Sequence, residues 1–151
     1  VRLNIRGVCC LRPGVPGLSE HITVVSIVDR ILEHARIVYF HHGGDDLAFI
    51  SSADWMPRNL DRRVELLVPV EDMTSKRRLM NMLENCFRDT SNSWVLQADG
   101  QYQRRQTEHG QPTLRFQETM HQQALDAIKH AEQKRRTVFE PHQPATNKLE
   151  S

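Results

Sequence analysis

The chain has 151 residues, a formal net charge of +1 and a pI near 8.0. That length suits one domain or a piece of one, with enough chain to bury a core. So balanced a charge excludes nucleic-acid binding driven by bulk basicity, and any anion site must be local. Three cysteines, two of them adjacent at Cys9 and Cys10, give no disulfide framework and fit a reducing compartment. The sequence has no run of about 18 apolar residues and no signal peptide, so no transmembrane segment is expected. Val1 opens the chain, and Leu3-Asn4-Ile5 already reads as the middle of a strand. We therefore expect a piece of a longer protein, whose missing start would be free to carry a targeting segment.

In chain order, Arg2 to Cys10 predicts a strand with Arg6 near its middle. Arg12 to Ser19 carries two of the seven prolines and predicts a loop, either a plain connection or the wall of a phosphate pocket. Thr23 to Glu33 is divided. Val24 and Val25 favour a strand, whereas Val28, Ile31 and Leu32 recur at helical spacing, and the reading adopted is a helix from Ser26 to Glu33 capped by Ser26. Ile37 to Phe40 and Leu47 to Ile50 predict two strands joined through Gly43-Gly44. Arg62 to Val70 predicts a further strand, and its apolar run from Val64 to Val68 suggests a largely buried sheet with helices on its faces.

Thr74 or Ser75 is positioned to cap a helix to Phe87, with Leu79, Met80, Leu83, Cys86 and Phe87 as its apolar stripe. Trp94 to Leu96 predicts a short strand, Asp99-Gly100 a turn, and Leu114 to Arg136 a last helix ending in a solvated Lys134-Arg135-Arg136. Residues 1–140 make the domain, and 141–151 read as a disordered tail.

Several residues invite chemistry. His34 closes the predicted helix, where an imidazolium interacts favourably with the last carbonyls, and it is also a residue able to exchange a proton near neutral pH. Arg6 reads either as a surface ion pair or as a phosphate fork. Ser51, Ser52, Arg58, Asn59, Arg62 and Arg63 crowd just past a strand, either as a solvated end paired through Asp54 and Asp61 or as part of a polyanion path. Trp55 and Met56-Pro57 read as packing. Neither Cys9-Cys10 nor His41-His42 has the gap of a zinc knuckle, and no metal site is expected here.

Three stretches together carry a family likeness. They are Ile5-Arg6-Gly7-Val8-Cys9-Cys10-Leu11-Arg12-Pro13-Gly14, then Ser26-Ile27-Val28-Asp29-Arg30 with Leu32-Glu33-His34, then Ser51 to Asn59 with Asp61-Arg62-Arg63-Val64-Glu65. In this order they closely resemble the C-terminal part of bacterial polyphosphate kinase, from Val1 into the 130s. The resemblance implies an α/β fold like phospholipase D, a mixed sheet flanked by helices. It implies a parent enzyme that moves the terminal phosphate of ATP reversibly onto polyphosphate with magnesium, through a phosphohistidine. The phosphorylated histidine and the magnesium site of the family lie in a preceding domain, outside these residues. Arg6 and His34 match the family's ATP-binding arginine and histidine, and His34 its catalytic acid/base or phosphate contact. Ser51, Ser52, Arg58, Asn59 and Arg63 become candidate polyanion contacts.

The same resemblance implies a cytoplasmic homo-oligomer, with membrane association left open, whose partners are ATP and polyphosphate and no nucleic acid. Against the phospholipase D pattern, Arg36 stands at the lysine, His41 at the aspartate, and Ser51-Ser52-Ala53-Asp54 at the Gly-Ser-x-Asn element. This argues against phosphodiester hydrolysis and leaves phosphate binding intact. The alternative from another class is a non-catalytic polyanion-binding or interaction module on the same degenerate fold.

Overall fold

The computed structural model describes residues 1–107 and 110–137, the side chains of 135–137 excepted. The chain divides into two compact units, Val1–Thr119 and Met120–Ser151. The second continues the helix α3 (Phe116–Thr137), and the predicted tail lies outside the described residues.

In the first unit the strands form two sheets. One is four-stranded and mixed, in the order β1 (Arg2–Asn4), β2 (Thr23–Ile27), β6 (Ser93–Leu96), β7 (Tyr102–Arg104). Its β1 and β2 run parallel and the other pairs antiparallel. The second sheet is antiparallel, β3 (Ile37–Phe40), β4 (Leu47–Ser51) and β5 (Leu67–Pro69). The helix α2 (Met73–Arg88) packs on β1, β3 and β4 and so touches both sheets. The sequence-predicted α/β class, a mixed sheet flanked by helices, is therefore what the chain forms, with a smaller antiparallel sheet beside it.

The core is built from Val24, Val25, Ile27, Ala48, Ala53, Cys86, Leu96 and Phe116. Three of these belong to β2, and they overturn the helix expected over Ser26 to Glu33. β-branched side chains pack well on a pleat, and β2 is paired on both edges and buried on both faces. The helical spacing of Val28, Ile31 and Leu32 misleads because those side chains are exposed. From Asp29 to Arg36 the backbone has no regular structure.

Other boundaries shift for local reasons. The strand expected to reach Cys10 stops at Asn4, and Arg6 lies past its end; Gly7, with a φ of 132°, bends the chain directly after Arg6. The strand expected over Arg62 to Val70 shrinks to Leu67–Pro69 at the sheet's edge. Its apolar run is not buried, with Val64 99% and Leu66 66% exposed. Helix α2 starts earlier than expected, because Asp72 is the cap, accepting from the Ser75 amide at 2.7 Å. Half-buried Leu79, Met80, Leu83 and Phe87 with buried Cys86 bear out its stripe.

Two polar contacts fix the segment before His34. Asp29 accepts two hydrogen bonds from Arg115, at 2.9 Å from Nε and 2.6 Å from Nη2, with its side chain 2% exposed. The Gln117 amide then clasps Ile31, accepting from its N–H at 3.1 Å and donating to its carbonyl at 2.7 Å, and also donates to the Glu33 carboxylate at 2.5 Å. Phe116, which stands between Arg115 and Gln117, is held in turn by Asp89. Fully buried, Asp89 accepts from the amide of Phe116 at 2.7 Å and from that of Asn92 at 2.7 Å. Its charge meets the positive end of α3, which suits a buried carboxylate.

Candidate functional site

Parallel strands β1 and β2 end side by side, with Asn4 opposite Val25 and the Ile5 amide bonded to the Val25 carbonyl at 2.9 Å. Arg6 follows the first strand and the Asp29 to Arg36 segment follows the second. Ligand sites of open α/β sheets form beyond such carboxyl ends, where loops carry side chains into a crevice.

His34 and Arg36, from the segment between β2 and β3, meet Asp54, which follows β4. Arg36 donates from Nε to Asp54 Oδ1 at 2.8 Å and from Nη2 to His34 Nε2 at 2.5 Å. The same Asp54 oxygen lies 3.6 Å from His34 Nε2. The hydrogen bond from Arg36 holds the Asp54 carboxyl below the ordinary range, with His34 and Arg58 acting through space in the same direction. Asp54 in turn raises the Arg36 guanidinium. The His34 side chain is 60% exposed and that of Arg36 23%, so the imidazole faces solvent over a better-shielded guanidinium. Arg36, Arg58 and the His34 imidazole gather cationic and proton-donating groups in one place, with Asp54 and Glu65 as the carboxylates acting on Arg36. A phosphate chain needs such groups.

The remaining predicted site residues are spread over two roles. Arg6 is exposed and, among the described residues, makes no hydrogen bond or ion pair, and none joins it to the His34 cluster. Arg58 is exposed on the short helix α1 (Pro57–Leu60) and reaches the cluster by its field on Asp54. Arg63 lies 3.5 Å from Glu65 Oε1 and is mostly exposed. Ser51, Ser52 and Asn59 are turned to the protein's own backbone. Ser51 Oγ accepts from the Ala53 amide at 3.1 Å, Ser52 Oγ donates to Glu65 and accepts from the Leu66 amide at 2.9 Å, and Asn59 donates to the Asp54 carbonyl at 3.2 Å. Asn59 is buried, and its Oδ1 has no partner among the described residues. Trp55, expected to pack, is 78% exposed beside Asp54.

The sequence offers the arginines of the box as partners for Asp54 in one of its two readings, and neither reading includes Arg36, the partner that joins Asp54 to His34. The available signal was Arg36 two positions after His34, at the place of the phospholipase D lysine. Arg115 and Gln117, which set the approach to His34, carried no local signal at all. His41, at the place of that family's aspartate, instead bonds Asp46 at 3.0 Å within the turn before β4, where Tyr39 also bonds Asp46 at 2.5 Å. No group of three or more His, Cys, Asp or Glu able to hold a metal exists among the described residues. Asp54, the nearest carboxylate to the site, is committed to Arg36, so these residues do not fit a magnesium ion.

The family model of the polyphosphate kinase C-terminal domain 2 matches residues 1–117. The chain belongs to the polyphosphate kinase family. A polyphosphate kinase of Rhodopirellula baltica is 58% identical over 144 residues, 95% of this chain and 17% of that protein. One of Halalkalibacterium halodurans is 53% identical over 102 residues, 68% of this chain and 14% of that protein. The crystal structure of polyphosphate kinase from Porphyromonas gingivalis superposes with a TM-score of 0.79 at 36% identity, covering 85% of this chain and 20% of that one. The chain therefore spans a fifth or less of the length of these relatives. No helix among the described residues is long and apolar enough to cross a membrane.

Proposed function

We propose that this chain supplies part of the nucleotide site of a polyphosphate kinase, which moves the terminal phosphate of ATP reversibly onto inorganic polyphosphate. The observation that carries this reading is the His34, Arg36 and Asp54 cluster, inside the matched residues. Phosphoryl transfer depends on positioning and on neutralising charge over the phosphate oxygens, and a guanidinium beside an imidazole supplies both. In the proposed roles, His34 contacts the transferring phosphate and holds or releases a proton, and Arg6 binds nucleotide phosphates across the crevice. Arg58 and Arg63 line the path of the polyanion. Ser51, Ser52 and Asn59 serve that path by fixing its walls, through the hydrogen bonds that the two hydroxyls and the Asn59 amide nitrogen make within the chain.

Magnesium accompanies ATP in this proposal, and its ligands belong to the parent protein outside these residues, as does the histidine that becomes phosphorylated. The parent enzyme is proposed to be a cytoplasmic homo-oligomer. The 151-residue chain alone then keeps a partial ATP site and no turnover. Incubating it with ATP and magnesium and assaying polyphosphate tests this. We expect none, and measurable synthesis contradicts the division of labour proposed here.

A further inference from the structure

Arginine has donors and no acceptor. The 2.5 Å contact between Arg36 Nη2 and His34 Nε2 therefore has one assignment, in which Nε2 offers its lone pair and the ring proton sits on Nδ1. That Nδ1 makes no hydrogen bond among the described residues and is left to meet a phosphate oxygen. Arg36 keeps this pose because Asp54 Oδ1 grips its Nε at 2.8 Å, and that same oxygen stands 3.6 Å from Nε2.

These distances give the imidazole two compatible neighbours. While Nε2 is bare, Arg36 donates to it. When Nε2 takes a proton from solvent, its lone pair becomes an N–H bond and the ring gains a positive charge. Arg36 is then a like charge beside it and Asp54 the acceptor, already within reach of a small ring rotation. The other charged groups near this trio are Arg58, acting on Asp54, and Glu65, acting on Arg36.

We propose that Asp54 is a positioning residue for His34: through Arg36 it selects the Nδ1–H tautomer of the neutral ring, and directly it accepts a hydrogen bond from the Nε2–H of the charged one. This rests on the reading of the site given above, and its consequence is that His34 exchanges a proton without leaving its place over the phosphate. A third group that fixes ring orientation and tautomer is the recurring companion of a catalytic histidine.

The test labels the histidine nitrogens with ¹⁵N and records imidazole spectra of the 151-residue chain at about pH 8.5, above the usual imidazole range. Wild type, Asp54→Asn and Asp54→Ala are compared. The wild type is expected to show one His34 tautomer with Nε2 bare. Asp54→Asn, which still accepts from Arg36, is expected to keep it, and Asp54→Ala to give a mixture. In the full-length enzyme carrying this segment, Asp54→Ala is expected to lower kcat by more than about tenfold with little change in the KM for ADP. An unchanged single tautomer in Asp54→Ala overturns the proposal, as does unchanged kcat. A wild-type enzyme that makes no ATP overturns the kinase reading instead, and the spectra then decide the role of Asp54 by themselves.

Discussion

Asp29 and Arg115, 86 residues apart, close a two-pronged ion pair that ties the segment leading to His34 to the start of α3. Arg115 holds the Asp29 carboxyl well below the usual carboxylate range. A carboxyl whose folded value is depressed adds stability above its unfolded value, near about 4, and loses that contribution as pH falls through the folded value. Arg115→Ala leaves Asp29 buried without its partner and is expected to cost about 3 kcal/mol at neutral pH. Its stability is also expected to fall less steeply than the wild type's as pH drops below about 4. Urea melts across that range check both. Parallel curves for the two chains contradict the assignment.

Gly7 bends the chain directly after Arg6, which lies beyond the end of β1. Nothing lies within 4 Å of a Cβ added there, so the cost of Gly7→Ala is torsional, from its φ of 132°. We expect a loss of about 1–3 kcal/mol by urea melt. A variant as stable as wild type means that the backbone at Gly7 adopts another conformation in solution.

Cys86 is buried on α2, and desolvation first, then the charges of Glu33 and Asp89, push its thiol up to about 12. The thiolate is the reactive form, so Cys86 is expected to resist a thiol-exchange reagent at neutral pH in the native chain. Exposed Cys10 is expected to react readily. Mass-mapped labelling before and after denaturation checks the order, and native labelling of Cys86 at the rate of Cys10 contradicts the packing described.

Much of the fold was legible. The hairpin from Ile37 to Ile50, the stripe of α2 and the strand at Trp94 follow from local periodicity and turn glycines. The failure at Ser26 to Glu33 has a definite cause. Val24, Val25 and Ile27 report burial between two other strands, while Val28, Ile31 and Leu32 mimic a helix that never forms, and neighbours in space are invisible to a local window. Arg62 to Val70 fails in the opposite sense, because an edge position leaves its apolar side chains exposed. For the site, His34 was found through its family setting. Its partners were not, since the link from His34 to Asp54 runs through Arg36, and the props at Arg115 and Gln117 arrive from the far end of the chain.

In the proposed enzyme His34 works at a phosphoryl-transfer site. The most direct test follows ATP formation from ADP and polyphosphate with magnesium in the full-length enzyme, with His34→Ala and Arg6→Ala run beside the wild type. Both positions are solvent-facing, so the variants are expected to stay within about 0.5 kcal/mol of wild-type stability. The wild type is expected to make ATP, and His34→Ala to lose at least about a hundredfold in rate. Arg6→Ala is expected to lose a large part of the rate as well. Normal turnover in both variants contradicts the site; no ATP from a folded wild type contradicts the kinase reading and leaves a polyanion-binding module in its place.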